Sequence, residues 1–199
     1  METKKRICNL LKSTERNGIE DLLSWMDESG FYFAPCSSKY HLAKPGGLAE
    51  HSMNVFHVAI AILNTLCASY NKPLSNDLID SVIICSLLHD LGKTGQFGKS
   101  TYIHTATQEC QTIGNPFAPD PDVLITYETN KNLLYMPHEV RSIAIASRFI
   151  ELTEEEQHAI LYHNGLYSEL KSIKGNETML YMILHFADMW ASRVIEAEE

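Results

Sequence analysis

The chain has 199 residues, 45% of them hydrophobic, with 16 basic against 25 acidic residues and a formal charge of -9. That length supports one domain with a sizeable core rather than two, and the acidic balance argues against general attraction to nucleic-acid backbones or anionic lipid. The five cysteines, odd in number and without a C-x-x-C pair, argue against a disulfide framework and a zinc knuckle, and fit reduced thiols in a cytoplasmic protein.

The opening residues, Met1 to Lys12, hold only a short apolar patch, and no apolar run reads as long enough to cross a membrane, so a non-secreted protein without a membrane partner is expected. Residues 1–46 read as an N-terminal helical extension. Within it, Ile19, Leu22, Leu23 and Met26 fall at helical spacing between Gly18 and Asp27, and Gly30 supplies a stop. From Leu48 to Tyr70 apolar residues occupy most sides of the predicted helix, which points to a central buried element carrying His51 in its first turns. Ser75 or Asn76 caps a further apolar helix that runs to His89-Asp90 and closes at Gly92. Thr94 to Pro137, rich in Gly and Pro, predicts a long irregular insertion over the site, with a hairpin joining Val123–Tyr127 to Leu133–Met136. Helix resumes over His138 to Ile150. Thr153 and Glu156 form a capping box for a helix to about Tyr162, Gly165 breaks it, and Glu177 to Ile195 forms the last helix. The expected fold is an all-α bundle in one domain, residues 1–199.

Two metal-grade ligands, His89 and Asp90, end an apolar helix, and His51, His138, His163 and Asp188 sit near the ends of other apolar segments. Imidazole with carboxylate is the donor set of Zn, Mn, Fe, Co or Ni rather than Mg or Ca. Adjacent side chains on a helix diverge by about 100°, so His89 and Asp90 reach one centre best where the helix ends. A carboxylate can also span two ions, which makes Asp90 a candidate bridge. His158 competes with His163, one turn and a fraction away, while His57, His104 and His185 have core, surface or supporting roles by default; His185 lies one turn before Asp188. Lys93, three residues after Asp90, is placed to meet a substrate phosphate, and Arg141 is a second phosphate candidate whose equal alternative is a solvated surface residue. Gly98-Lys99-Ser100-Thr101 looks like the end of a P-loop, but Lys93 stands where its first glycine belongs and the segment follows a helix, so that reading is rejected.

His51, then His89-Asp90, then Asp188, in the contexts Gly47-Leu48-Ala49-Glu50-His51-Ser52, Leu88-His89-Asp90-Leu91-Gly92-Lys93 and Leu184-His185-Phe186-Ala187-Asp188, resembles the signature of the HD-domain metal-dependent phosphohydrolases. The resemblance spans residues 47 to 192. His138-Glu139 and Tyr162-His163-Asn164-Gly165 further resemble the two extra histidines of the binuclear subgroup, which includes cyclic-nucleotide and cyclic-dinucleotide phosphodiesterases. The resemblance implies an HD-type helical bundle in which one divalent ion takes His51, His89, Asp90 and Asp188, and a second shares Asp90 and adds His138 and His163. It also favours His163 over His158.

Metal coordination lowers the pKa of water from about 15.7 toward about 7, so a metal-bound hydroxide is the expected nucleophile toward a phosphomonoester or phosphodiester. By the same analogy Asp90 and Lys93 are the catalytic candidates, and Lys93 and Arg141 the substrate-binding ones. The partner is a small phosphorylated molecule, nucleotide-like on family analogy alone, with Tyr102, Tyr127 and Tyr135 as stacking candidates. Two other readings share the donor set: an HD-type di-iron oxygenase, and a non-catalytic module in which the metal site stabilises a ligand-binding domain.

Overall fold

Helical periodicity governs most of the chain, and the protein is predominantly α. A computed structural model describes residues 2–71, 73–105, 126–165 and 175–197, and among these it holds seven α-helices: α1 (Glu2–Ser13), α2 (Ile19–Glu28), α3 (Gly47–Tyr70), α4 (Asn76–Leu88), α5 (His138–Ala146), α6 (Glu154–Tyr162) and α7 (Met179–Trp190). Of the predicted extension, α2 matches its periodic segment. The sequence pattern does not single out α1, because only Ile7 and Leu11, one turn apart, are fully buried on it. Those two residues seat α1 against α3 and α4.

The spine is α3, packed on α4 and α7. It buries Leu48, His51, Val55, Ala59 and Leu63, one residue per turn, and ends at Asn71 in the left-handed conformation. Contrary to the expectation from sequence, its stretch Gly47–Ser69 is long and apolar enough by composition to cross a membrane. Here that composition serves contacts on several sides: apolar residues of α3 that are not fully buried, among them Phe56, Val58 and Ile60, still pack against the core.

The Ser75 side chain accepts from the Leu78 amide and starts α4, which is buried without interruption from Val82 to Leu88 among α1, α3, α6 and α7. The helix stops two residues short of its predicted end. His89 still donates its amide to Cys85 O, but Asp90 leaves helical geometry and a 3₁₀ turn follows over Leu91–Thr94. Thr153 and Glu156 complete the capping box of α6. The Glu156 carboxylate, fully buried, also takes two bonds from the Arg16 guanidinium at 2.8 and 2.9 Å and one from Ser81 Oγ at 2.8 Å, which ties the α1–α2 turn to α4 and α6.

The insertion pairs differently from the prediction. Strand β1 (Gly95–Gln96) meets β2 (Lys99–Ser100) across Phe97–Gly98, both at positive φ as a tight two-residue hairpin requires. Strand β3 (Tyr102–Thr105) pairs antiparallel with β4 (Thr126–Thr129) in the register Tyr102↔Thr129. The predicted partner segment Leu133–Met136 is not a strand, and Val123–Ile125 lie outside the described residues. Thr126 and Tyr127 therefore pair backwards in sequence with β3, a contact that no local turn signal announces. At the other end α7 stops at Trp190, and a π-helical turn over Ala191–Ile195 replaces the predicted continuation. That wider turn brings Glu196 back toward α3.

Candidate metal centre

Five elements deliver the six predicted donors to one place. His51 comes from the second turn of α3, His89 and Asp90 from the end of α4, His138 from the first residue of α5, His163 from the C-cap of α6 and Asp188 from the last turn of α7. Two of these placements depend on Gly92. Its amide donates to Ser142 Oγ at 2.8 Å, and that hydroxyl donates to His138 O at 2.8 Å. A Cβ on Gly92 would stand 2.2 Å from His138 O, so only glycine lets the start of α5 lie against the turn that carries Asp90.

Hydrogen bonding decides how the rings present themselves. His89 Nδ1 lies 2.9 Å from Ser86 O and His163 Nδ1 lies 2.7 Å from Ile160 O. A carbonyl only accepts, so both Nδ1 atoms carry hydrogen and each neutral ring offers a bare Nε2. His51 Nδ1 faces the Glu196 carboxylate at 2.9 Å, which turns its Nε2 to the same centre. The Nε2 atoms of His51 and His89 then stand 3.3 Å apart. His51 Nε2 is also 3.1 Å from Asp188 Oδ1 and 3.4 Å from Asp90 Oδ2, and His89 Nε2 is 3.5 Å from Asp90 Oδ2 and 3.9 Å from Asp188 Oδ1. Four such groups this close need positive charge among them, which the Lys93 ammonium at Asp90 Oδ2 and a proton on His51 supply in the metal-free protein and a bound ion would supply in place of that proton. Donors that share a tetrahedral ion at bond lengths near 2.0 Å sit about 3.3 Å apart, within the range observed.

The other face of Asp90 repeats the pattern. Its Oδ1 is buried without a hydrogen-bond partner, 3.1 Å from His138 Nε2 and 3.7 Å from His163 Nε2. An orphaned buried carboxylate oxygen is costly unless a cation meets it. Asp90 thus addresses a separate donor group with each oxygen. The chain holds buried His and Asp groups able to take a metal ion, and the donor types present fit one.

The electrostatics are those of tightly packed opposite charges, in which His51 and His163 are drawn toward the protonated form and a metal would compete with that proton. Burial raises the carboxyls of Asp90 and Asp188, yet Lys93 and the surrounding histidines hold Asp90 well below the usual carboxylate range, and His51, His163 and His89 do the same for Asp188. Burial pulls His51 down, but Cys36, Asp188 and Glu196 push it well above its ordinary value. Burial dominates at His89 and keeps it low, as a neutral ligand requires.

Two cavities, each of about 680 Å³, meet at this cluster, and Lys93 and Asn164 line both. One is walled by His41, Asp188 and Glu196. The other is walled by the insertion, with Tyr102, Leu134 and Tyr135, and by His138 and Arg141. Lys93 Nζ lies 2.6 Å from Asp90 Oδ2. The Arg141 guanidinium bonds Gln96 Oε1 and Leu134 O, clamping the insertion to α5 at the cavity wall.

Other residues singled out by sequence stand elsewhere. His158 packs against Tyr162 and Tyr181, His57 meets Arg6 at the surface, His104 lies against Tyr127, and Ser52 bonds Leu48 O in its own helix. His185 donates to His163 O rather than contacting Asp188, steadying a donor through its backbone. Three participants went unforeseen: Glu196, which orients His51 and also accepts from Asn54, and Cys36 and His41, from the irregular loop before α3. None belongs to a periodic segment. Compared with protein-family models, curated proteins and solved structures, the chain finds no match.

Proposed function

We propose that this chain is a metal-dependent phosphohydrolase of the HD type, using one or two divalent transition-metal ions to cleave a phosphate ester. The reading is carried by one observation: imidazole Nε2 atoms and carboxylate oxygens converge within 3.1–3.9 Å of one another at the junction of two cavities. The order of the donors along the chain supports it through the resemblance set out above. Bound divalent ions would polarise phosphate oxygens and acidify water.

The protein's own groups have definable parts in such a reaction. His51, His89 and His163 are held with Nε2 facing the centre by Glu196, Ser86 O and Ile160 O, so the rings need no reorientation before binding, while a metal would displace a proton from His51 and His163. Lys93 carries its charge into both cavities beside Asp90, where it can meet a non-bridging phosphate oxygen. Cavity on both sides of the cluster leaves room for a group on either side of phosphorus, so diesters and monoesters both fit. Tyr102 and the exposed Tyr135 can offer ring faces to a nucleobase, whereas Tyr127 is buried behind His104.

The test is metal analysis of the purified protein joined to a metal-by-substrate hydrolysis screen over phosphomonoesters, nucleotides, cyclic nucleotides and short oligonucleotides. Phosphate release supported by Mn or Co without oxygen is expected. Turnover strictly dependent on iron and O₂ with no phosphate release would identify an oxygenase instead, and binding of a nucleotide without conversion would identify a non-catalytic module.

A further inference from the structure

We propose that Cys36 supplies a thiolate ligand to the ion held by His51, His89, Asp90 and Asp188, biasing that position toward Zn²⁺, Fe²⁺ or Co²⁺ and against Mg²⁺. The inference rests on the metal-centre reading above and narrows it. Cys36 lies in the segment between α2 and α3, where its amide donates to Leu42 O at 3.1 Å and Ser37 Oγ donates to His41 O at 3.0 Å, closing the loop on itself. The closed loop buries Cys36 completely, and its thiol, which burial keeps protonated in the metal-free protein, donates to Asp90 Oδ2 with Sγ 4.0 Å away. That oxygen is the one facing the Nε2 atoms of both His51 and His89. Donor atoms of Cys36, His41 and His51 also lie within 4.8 Å of one another.

A sulfur and an oxygen on one five-coordinate ion, at about 2.3 and 2.1 Å and about 90–120° apart, stand about 3.1–3.8 Å from each other, so a closing of about 0.2–0.9 Å from 4.0 Å completes the contact. The surroundings of the sulfur also separate it from a space-filling thiol. Cys85, for comparison, sits inside α4 with its sulfur 3.8 Å from the Glu156 carbonyl. Around Cys36 Sγ stand the Lys93 ammonium at 3.9 Å and His41 Nε2 at 3.4 Å, two groups able to donate to a thiolate. As the sulfur–metal bond forms, the thiol proton passes to solvent. A soft sulfur donor favours borderline ions over hard ones, which sets this position apart from the Asp90–His138–His163 group.

The experiment is loading of the metal-free full-length protein with Co²⁺ without oxygen, read by absorption. The wild type should show cobalt ligand-field bands together with a near-ultraviolet thiolate-to-cobalt charge-transfer band, and excess Mg²⁺ should displace neither. Cys36→Ser should lose the charge-transfer band, keep ligand-field bands and bind Co²⁺ roughly tenfold or more weakly, whereas Cys67→Ser, near the far end of α3, should keep the band. Cys36→Ala repeats the measurement if the serine variant does not fold. Ligand-field bands without charge transfer in the wild type, or charge transfer that survives the loss of Cys36, overturn the thiolate assignment and leave the metal centre standing. Failure of the wild type to take up cobalt overturns both.

Discussion

Gly92→Ala is the sharpest perturbation of this architecture, because it removes no donor. The added Cβ would lie 2.2 Å from His138 O, 2.8 Å from Arg141 Cβ and 2.9 Å from Ser142 N, where ordinary contact begins at 3.4 Å. Relief against His138 O alone requires a displacement of about 1.2 Å (3.4 − 2.2), and both atoms belong to backbone that cannot rotate away. The start of α5 must withdraw, carrying His138 Nε2 from 3.1 Å toward about 4 Å from Asp90 Oδ1, while His51, His89 and Asp188 stay where they are. Overpacking of this kind costs about 1–3 kcal/mol, and at roughly 2–4 °C per kcal/mol for a chain of this size the melting temperature should fall by about 3–10 °C. Elemental analysis after loading should find the ion of the Asp90–His138–His163 group lost and that of the His51–His89–Asp188 group kept. Calorimetry and metal stoichiometry indistinguishable from wild type would refute the argument that contact at Gly92 sets the position of His138.

Asp90→Asn, which weakens both donor groups at once, should abolish metal content and turnover while circular dichroism shows the helices retained. Glu196→Gln removes no predicted ligand, yet by weakening the hold on His51 Nδ1 it should lower metal affinity about 10–100-fold in a chelator competition. Metal at 100 times its dissociation constant contributes about 2.7 kcal/mol, so chelation should lower the melting temperature by about 5–10 °C; a melting point insensitive to chelator and to every divalent ion would count against a bound metal. Burial raises the Glu156 carboxyl, but bonds from Arg16, the Thr153 amide and Ser81 hold it below its ordinary value, so its stabilisation is present above the unfolded pKa of about 4.3 and lost as pH falls through the lower folded value. Arg16→Met should then cost about 3 kcal/mol at pH 7, the low end for a broken buried pair because the Arg16 side chain is 21% exposed, and urea titrations should show the deficit shrinking at pH 3.

Periodicity made most helices readable, since α2, α3, α6 and α7 each bury a face that recurs with the helical repeat, while α4 showed itself by a capped, almost wholly apolar run. It said little of α1, whose buried face is two residues wide. The hairpin was misassigned because β3 and β4 join across residues 106–125, and pairing at that separation leaves no turn signature. Gly92 was read as a helix stop, whereas its φ is not positive and what demands glycine there is the backbone of α5. The candidate donors were legible as residue types at the ends of apolar helices, where a side chain can point out of the core it is attached to. Glu196, Cys36 and His41 were not, because a π turn and a self-closed loop place them and neither leaves a periodic trace.

The spread of the donors along the chain bears on when the centre can exist. From His51 to Asp188 inclusive there are 138 residues, against 39 from His51 to His89. At about 0.6 kcal/mol for each doubling of a loop, the longer closure is only about 1 kcal/mol harder. Equilibrium therefore tolerates the separation, whereas a growing chain still lacking α7 holds four donor histidines and Asp90 but not Asp188. An ion bound before α7 joins the fold would lack the Asp188 carboxylate and exchange more readily than one bound by the finished bundle.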